Sequence, residues 1–573
     1  MKKMLFIFSD PNYQYGYVLC LFEGGIKIQI LLEVLFMKKL SSYFLNFARN
    51  EAKNRETIWE SCYNGMSTKT IHKTGGTQMV KQRKKYSKKK RTGKGFKKNT
   101  AKARKINAST PVETCSEQLS PFGGLLALVK FFDLVKFEEI FNFTYQAPRR
   151  KPKLGHYSMM TGILMLLFIG FNRIWHFTYV RLDAMLCGIF RLTQLPVAST
   201  FWRYVDSLGI NQANSLLNLM SKLRERVWQQ CGLYYFKIRI DVDTTVETLY
   251  GNQQGGRKGH NTKNRGKRGY RPILCFIYET REYLIGKLRK GDTVSGKEAA
   301  AFVAKIQAHI PGCVQEVLLR ADGEFLSWAS VDALSKAGYE FIIGNKGCKP
   351  PFDPQTWYRP WKRKNIQYNS CIYTPTGWSR PCRFVAMRIP KEETVPAEKM
   401  IQCKLFEDDR YKYRIFCTNI GRKPHEIIDE YDKRADVENL VGEAKREGLD
   451  AIPSGKFKNN YAFFQIVMLA YNIWRYLKIM ANESMKGAQT DTTTSSPHGL
   501  KGIMNNTIRI ARLKLLYLAA KVVIDSNVDK VKYSVHDTRT PGMLHFLKFL
   551  DKARQKARPW EKGSTWPYRF AVQ

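Results

Sequence analysis

The stretch HEIIDEYDKRADVENLVGEAKRE, residues 425–447, decides how the rest of this chain is interpreted. Pro424 precedes it, where the first turn of a helix tolerates proline, and Gly448 follows it, where helices often end. We therefore predict one helix over residues 425–447. At about 100° per residue, one stripe of this helix, about 60° wide, contains four polar side chains. They are Tyr431, Arg434, Glu438 and Lys445.

Two aspartates upstream bear on what this stripe does. In the stretch 235–245, apolar and polar residues alternate, so Asp241 and Asp243 share the polar face of a predicted strand. Buried carboxylates are unfavourable unless a cation neutralises them, although a solvent-facing strand carries them freely. The apolar run 314–322 predicts a buried strand that ends at Asp322. The alternative to a functional stripe is a solvated charged helix stabilised by i,i+4 pairs.

The spacing Tyr-x2-Arg-x3-Glu-x6-Lys resembles the signature of DDE transposases of the IS-four type, and most of all their thirteen-eighty branch. The resemblance covers residues 116–540. It implies that Asp243, Asp322 and Glu438 are both the catalytic residues and the metal ligands. It implies two Mg²⁺ (or Mn²⁺) ions about 4 Å apart as cofactors, because hard ions prefer carboxylate oxygens. The activity implied is hydrolysis of DNA at the element's ends and transfer of the strands to a target.

Neighbouring acids leave the choice of ligands partly open. Asp241 shares its face with Asp243, but the family's acid precedes a small residue and Thr or Ser, which favours Asp243 and makes Asp241 a supporting residue. Glu324 competes with Asp322, but it follows Gly323 and lies beyond the strand.

The resemblance also implies DNA-binding roles. Arg434 and Lys445 would clamp phosphates on the 5′ side of the break, and Tyr431 would donate a hydrogen bond to a phosphate. Some family members form a DNA hairpin with a flipped base stacked on tryptophan. Trp357 or Trp361 would serve here, with packing in the core as the alternative.

The predicted elements from residue 233 onward follow the order strand, strand, strand, helix, strand, helix, strand. This order matches an α/β fold with an RNase H-like core, a mixed sheet flanked by helices. Seven segments result: an unassigned extension (1–78), a basic disordered arm (79–115), a helical DNA-binding domain (116–232), the two parts of the core (233–344 and 423–480), an all-β insertion (345–422) and a helical, basic C-terminal region (481–573). In the last segment we predict a helix over 507–523.

The formal net charge of +46 predicts a polyanionic partner. Double-stranded DNA, as terminal inverted repeats and as target, is the first candidate, and an anionic membrane surface the second. The arm is a phosphate-binding tail or a solvated linker. Residues 251–269 predict a mobile basic loop that follows a DNA backbone, in which His260 contacts phosphate or solvent rather than a metal. The cations of this loop are Arg257, Lys258, Arg265, Lys267 and Arg268.

Other features set the context of the chain. Residues 195–204 predict a turn and a helix start that either read a major groove, as in a helix-turn-helix, or pack in the helical domain. The twelve cysteines form no C-x-x-C pair, so neither a zinc site nor a disulfide framework is predicted. We expect no membrane span, a cytoplasmic, nucleoid-associated bacterial protein, a homodimer on DNA, and translation starting at Met66 or Met79.

Two other functions remain open. A non-catalytic DNA-binding protein derived from a transposase would show the same charge. An RNase H-like nuclease without strand transfer would show the same acids. An intact acidic triad favours the enzyme over the binding protein.

Overall fold

The structure is a computed structural model that describes residues 5–9, 16–22, 25–29, 106–259, 261, 264–293, 298–361, 363, 365–390, 411–486 and 500–562. The chain divides into two compact units, Met1–Pro111 and Val112–Gln573. In the first unit, β1 (Leu5–Ser9), β2 (Gly16–Phe22) and β3 (Gly25–Gln29) form an antiparallel sheet in that order. Residues 79–105 of the predicted basic arm, and both predicted translation starts, lie outside the described residues.

The second unit begins with a short strand, β4 (Leu119–Ser120), and a helical region. The helices are α1 (Leu125–Leu134), α2 (Phe137–Thr144), α3 (Gly155–Phe168), α4 (Phe177–Val180), α5 (Ala184–Phe190), α6 (Ala198–Ser207) and α7 (Ile210–Gln230). The second half of α3 is apolar and buried from Met159 to Phe168, as its composition predicts. Nowhere in the described residues is a helix both long and apolar enough to cross a bilayer.

Residues 191–197 connect α5 to α6, the helix predicted to begin after this turn. Phe201, Tyr204 and Val205 of α6 pack in the core, while Trp202 is exposed. The C-terminal end of α6 is held by Asn459, whose Nδ2 donates to the carbonyl oxygens of Val205, Asp206 and Leu208 at 3.1, 2.7 and 2.8 Å. DNA contact by α6 stays a prediction.

The centre of the second unit is an eight-stranded mixed sheet. Its strands in chain order are β5 (Lys237–Thr244), β9 (Ile273–Ile277), β10 (Glu282–Lys287), β11 (Glu316–Ala321), β12 (Glu340–Gly344), β13 (Gln367–Tyr373), β14 (Cys382–Pro390) and β15 (Tyr411–Thr418). In space the order is β10-β9-β5-β11-β12-β15-β14-β13. The pairs β5–β11 and β11–β12 are parallel, and the remaining pairs are antiparallel. The fold is therefore mixed α/β.

Strands of the predicted all-β insertion join the central sheet. They include β14 (Cys382–Pro390) and β15 (Tyr411–Thr418), and β15 pairs with β12 at Ile343↔Cys417 and so lengthens the sheet. On that side, β15 satisfies the backbone hydrogen-bonding groups of β12.

The predicted mobile loop at 251–269 contains regular structure. Arg257–Lys258 (β7) and Arg268–Tyr270 (β8) pair with each other, and β8 also pairs with Glu247–Thr248 (β6). The strands β7 and β8, with the described residues between them, are here called the basic hairpin. The hairpin follows shortly after β5. His260 lies outside the described residues.

Helices cover both faces of the central sheet. They are α8 (Ala299–His309), α9 (Trp328–Lys336), α10 (Pro424–Asp432), α11 (Asp436–Ala444) and α12 (Phe457–Lys486). Ile427 and Ile428 of α10 pack on Leu318 of β11, and α11 contacts β5. The long α12 is buried over most of its length and contacts α7, α3 and β10.

The C-terminal region differs from the prediction. The predicted helix 507–523 ends early: α13 covers Ile508–Leu515, and Ala520–Asp525 is a strand, β16, paired with β17 (Val528–Tyr533) and β4. Val522, Val523 and Ile524 are β-branched, which favours the strand. A last helix, α14, spans Thr540–Gln555.

Candidate active site

Asp243 and Asp322 lie side by side because two parallel strands end together. The register of β5 and β11 pairs Asp241 with Arg320 and Val242 with Ala321, so the next residues on the two strands are the two aspartates. Asp322 follows β11 directly and caps the 3-10 turn Gly323–Phe325, where its carboxylate accepts a hydrogen bond from Glu324 N at 3.1 Å.

Burial and mutual repulsion act on both carboxyls. Burial raises the pKa of Asp243 to about 6; Arg434 opposes this shift and Asp322 adds to it. Burial and the nearby Glu324 raise the pKa of Asp322, while Arg434 and Arg271 lower it. The two acids are therefore close enough to disfavour each other's charge, and a cation between them would remove that repulsion.

Arg434 is the cation that the chain itself places here. Its side chain is 7% exposed, and Nη2 donates to Val242 O at 2.8 Å and to Asp243 Oδ1 at 3.1 Å. Its Nε is buried and has no hydrogen-bond partner in the described part of the chain. Arg434 therefore orients Asp243.

Tyr431 reaches the same strand ends from α10. Its hydroxyl donates to Ala321 O at 3.3 Å, next to Asp322, and its ring lies 4.4 Å from that of Phe416. Burial raises the pKa of the hydroxyl, so it stays a hydrogen-bond donor at neutral pH. The structure thus brings two residues of the predicted stripe, Tyr431 and Arg434, to Asp243 and Asp322.

Glu438 and Lys445 are placed differently. Glu438 is exposed at the start of α11 and makes no hydrogen bond or ion pair in the described residues. The described ranges contain no group of three or more His, Cys, Asp or Glu side chains able to hold a metal. Lys445 Nζ donates to Val246 O at 2.7 Å, just beyond β5, and lies 3.6 Å from Asp450. It stays a prediction that Glu438 converges with Asp243 and Asp322. Phosphate binding by Lys445 also stays a prediction.

The predicted single helix is in fact divided, which explains these placements. A 3-10 turn at Lys433–Ala435 separates α10 from α11, and a π-turn at Lys445–Leu449 follows α11. Because these turns wind by amounts other than 100° per residue, the four polar side chains do not share one straight stripe. Gly448 has a φ of 119°, which only glycine adopts readily, and it ends the helical run.

Glu324 was discounted from the sequence and lies at the site. Thr244 Oγ1 donates to its Oε2 at 3.3 Å, and Arg271 forms an ion pair with it. The 3-10 turn after Asp322 directs this side chain back to the end of β5. The spacing Asp322-Gly323-Glu324 could have indicated that Glu324 lies at the site, because a tight turn at the glycine brings the residues on either side of it to the same side of the chain.

Asp241 forms a buried ion pair with Arg320. It is 1% exposed, and Arg320, fully buried, binds its two oxygens at 2.7 and 2.9 Å. Arg320 also donates to Glu430 O at 2.6 Å, which attaches α10 to β11. Asp241 is thus occupied by Arg320, and Asp243 is the acid open to the site.

The cations of the basic hairpin are exposed, and none forms an ion pair within the described residues. They are Arg257, Lys258, Arg265, Lys267 and Arg268. Of the two candidate tryptophans, Trp357 has the Arg388 guanidinium 4.2 Å from its ring, which favours packing, while Trp361 is 97% exposed. Base stacking by Trp361 stays a prediction.

The acids fit a hard divalent cation in part. Asp243 and Asp322 supply adjacent carboxylate oxygens whose raised pKa values show that their charge is poorly compensated. A third oxygen would come from Glu438, four residues after Arg434, or from Glu324.

The family described as "Transposase DDE domain group 1" matches residues 101–552. No curated protein matches the chain.

Solved structures show distant similarity. A piggyBac transposase synaptic complex with hairpin DNA is similar at 13% identity, over 68% of this chain and 81% of that chain, with a TM-score of 0.34. A Mos1 transposase paired-end complex with left transposon end is similar at 10% identity, over 34% of this chain and 60% of that chain, with a TM-score of 0.14.

Proposed function

Because the chain belongs to the group 1 DDE-domain transposases, we propose that it excises and inserts a DNA element by metal-dependent hydrolysis of phosphodiester bonds and strand transfer. The observation that carries this proposal is the adjacent pair Asp243 and Asp322 beside Arg434. We further propose that the chain is of the IS-four type with the Tyr-Arg-Glu-Lys signature, in the thirteen-eighty branch.

We propose that the core of the sheet is RNase H-like. Numbered by appearance, its first five strands lie in the order 3-2-1-4-5, with strands 1, 4 and 5 parallel. This arrangement supports the proposal because it places the ends of strands 1 and 4, which carry Asp243 and Asp322, next to each other.

In this proposal each side chain has a defined task. Asp243 and Asp322 hold two Mg²⁺ or Mn²⁺ ions, with Glu438 as the third ligand. The ions, when bound, activate the attacking oxygen and stabilise the leaving one. Arg434 fixes the Asp243 carboxylate and adds positive charge beside the phosphate. Tyr431 donates a hydrogen bond near Asp322, and Lys445 adds positive charge beyond β5.

The partner in this proposal is double-stranded DNA, as inverted repeats and as target. A homodimer would pair the two ends, and the bacterial nucleoid would be the place of action. The exposed cations of the basic hairpin, directly after the strand that carries Asp243, support DNA binding beside the site.

Metal removal tests the function directly. With a plasmid that carries the DNA from both sides of the gene, nicking is expected with Mg²⁺ and is expected to be lost with a chelator. Products joined to a second plasmid are expected as well, because strand transfer distinguishes a transposase from a nuclease. Nicking without joined products would support the nuclease instead, and nicking that survives the chelator would contradict the proposal.

One observation favours a second function, a transposase-derived DNA-binding protein without catalysis. Glu438 is exposed and contacts neither Asp243 nor Asp322. If Glu438 does not turn to the aspartates when metal and DNA bind, the site lacks its third acid. Such a protein would bind the same plasmid DNA with or without Mg²⁺ and leave it intact.

The basic hairpin is expected to bind phosphate without regard to sequence. Replacing both Arg265 and Lys267 by glutamine should lower the slope of log affinity against log salt concentration by about 2, since each lost phosphate contact contributes about 0.9. The loss should be equal for end-containing and unrelated duplexes. The matched control is Lys222→Gln with Lys336→Gln, two lysines engaged by Glu225 and Asp332. An unchanged slope would contradict this role.

The pH dependence of metal binding follows from the buried Asp243. Its pKa of about 6 means that the carboxyl carries a proton below that pH, and a ligand must lose its proton to bind metal. The Mg²⁺ concentration needed for half-maximal nicking should therefore rise about tenfold for each pH unit below about 6, and level off above it. Nicking titrations with Mg²⁺ from about pH 5 to pH 8 measure this. A flat Mg²⁺ requirement through pH 6 would remove Asp243 from the ligands.

A further inference from the structure

An open cleft of about 360 Å³ lies between the start of α6 and the chain segment that follows the site helices. Its lining includes Trp175 and Trp202 as well as Ala451, Ile452 and Pro453. None of the residues that line the cleft is one of the acids of the site, which are Asp243, Asp322, Glu324 and Glu438.

The two tryptophans present flat surfaces that are held in place. Trp175 is 53% exposed and Trp202 is 45% exposed. Trp202 Nε1 donates to Pro453 O at 3.0 Å, which fixes its indole ring against that segment. Trp175 meets Tyr179, itself 69% exposed, edge to face at 5.6 Å. Exposed indoles on rigid supports are unusual on a soluble surface and mark a binding site.

The charge of this surface selects an anionic ligand. Arg173 lines the cleft, and the cleft has no Asp or Glu among its lining residues. Residues 172–206, which include this side of the cleft, contain two acids, and both are already engaged. Asp183 caps α5 by accepting a hydrogen bond from Leu186 N, and Asp206 pairs with Lys456 at 2.9 Å. The arginines of the stretch are Arg173, Arg181, Arg191 and Arg203. A second copy of this chain carries the same positive surface and would be repelled, so association of two copies through their clefts is disfavoured.

The rim offers hydrogen-bonding groups without partners. The Asn172 amide and the Ser199 hydroxyl line the cleft, and neither makes a side-chain hydrogen bond in the described part of the chain. An amide both donates and accepts, which suits the edge of a nucleobase. Aromatic faces, an arginine and a free amide together are the groups that recognise unpaired bases.

The cleft lies beside the C-terminal end of the helical run that carries Arg434 and Glu438. Gly448 ends this run, and Asn172 lies against it: a Cβ on Gly448 would be 3.2 Å from that of Asn172. The lining residues Ala451, Ile452 and Pro453 begin three positions after Gly448. At about 1.5 Å per helical residue, Glu438 and Gly448 are about 15 Å apart along the chain, a distance that a few nucleotides span.

We propose that this cleft binds an unpaired base of the DNA strand processed at the site, stacked on Trp175 and Trp202. The proposal rests on the proposed function for its choice of DNA. It differs from the base flipping predicted for Trp361, because it uses the helical region and the segment after Gly448.

The test uses the full-length protein and two duplexes, one blunt and one with a short single-stranded overhang that carries 5-iodouracil. Irradiation should cross-link the overhang to the peptide that contains Trp175 or Trp202, as mass spectrometry would identify. Trp175→Ala should weaken binding of the overhang about tenfold, as loss of one base-stacking contact does, and change blunt-duplex binding less than about twofold. Phe143→Ala, at an aromatic side chain 85% exposed on α2, is the matched control and should change neither.

Three outcomes would overturn the proposal: a cross-link that maps elsewhere, equal losses for both duplexes in Trp175→Ala, or cross-linking of the chain's own residues 79–105 into the cleft in place of DNA. Because the cross-link is measured on the unaltered protein, it does not depend on the folding of a variant. Nicking is measured separately. Cleft binding without nicking would contradict only the proposed function, and nicking without cleft binding would contradict only this inference.

Discussion

Replacing Glu438 by glutamine is expected to slow metal-dependent DNA cleavage about a thousandfold, the scale on which loss of one charged group at a reacting phosphate acts. Glu438 is exposed and has no partner in the described residues, so glutamine removes a charge without disturbing any contact. DNA affinity and the thermal unfolding midpoint should therefore stay unchanged. Nicking of the end-containing plasmid, a gel-shift titration and a melting curve measure the three quantities.

Glu426→Gln is the matched control, because Glu426 is an exposed glutamate of α10 in the same helical run, with no ion pair among the described residues. It should leave cleavage at the original rate. If Glu438→Gln cleaves as fast as the original chain, the third ligand is another acid. Glu324→Gln then becomes the decisive variant, since Glu324 already lies beside Asp322 and Thr244.

The adjacency of Asp243 and Asp322 could be predicted from the sequence because it depends on strand order alone. An alternating strand and a buried strand, each ending in an acid, place those acids at one edge if the strands are parallel neighbours. The structure has that pairing. The ion pair between Asp241 and Arg320 could not be predicted, because the period of a strand does not identify the side chain that faces it on the neighbouring strand.

The path of the helical run could not be predicted in the same way. Nothing in residues 433–435 or 445–449 forbids a regular helix apart from Gly448, so the 3-10 and π turns reflect tertiary contacts. Arg434 bonds to β5, and Lys445 bonds just beyond it. Because the turns change the winding, Glu438 does not point where a uniform helix would direct it. The strand at 520–525 depends instead on the neighbouring β17, with which it pairs along its whole length.

Asp241→Ala is expected to lower the free energy of unfolding by about 3 kcal/mol, although Asp241 lies only two residues from Asp243. Removing one member of a buried ion pair leaves the other charge uncompensated, which is costlier than the pair is favourable. Here Arg320 is fully buried and would keep only its contacts with Glu430 and the ring of Tyr278, 4.7 Å away. Urea unfolding followed by circular dichroism measures the change.

The control for this effect is Asp332→Ala, which breaks a surface ion pair with Lys336, 72% exposed, and should lower the free energy of unfolding by less than about 1 kcal/mol. The double variant Asp241→Ala/Arg320→Met should recover part of the loss, because it leaves no unpaired buried charge. Since Arg320 also attaches α10 to β11, the double variant should still cleave DNA more slowly than the original chain. A single variant as stable as Asp332→Ala would show that water reaches Arg320, and would remove Asp241 from the framework that holds Tyr431 and Arg434 at the site.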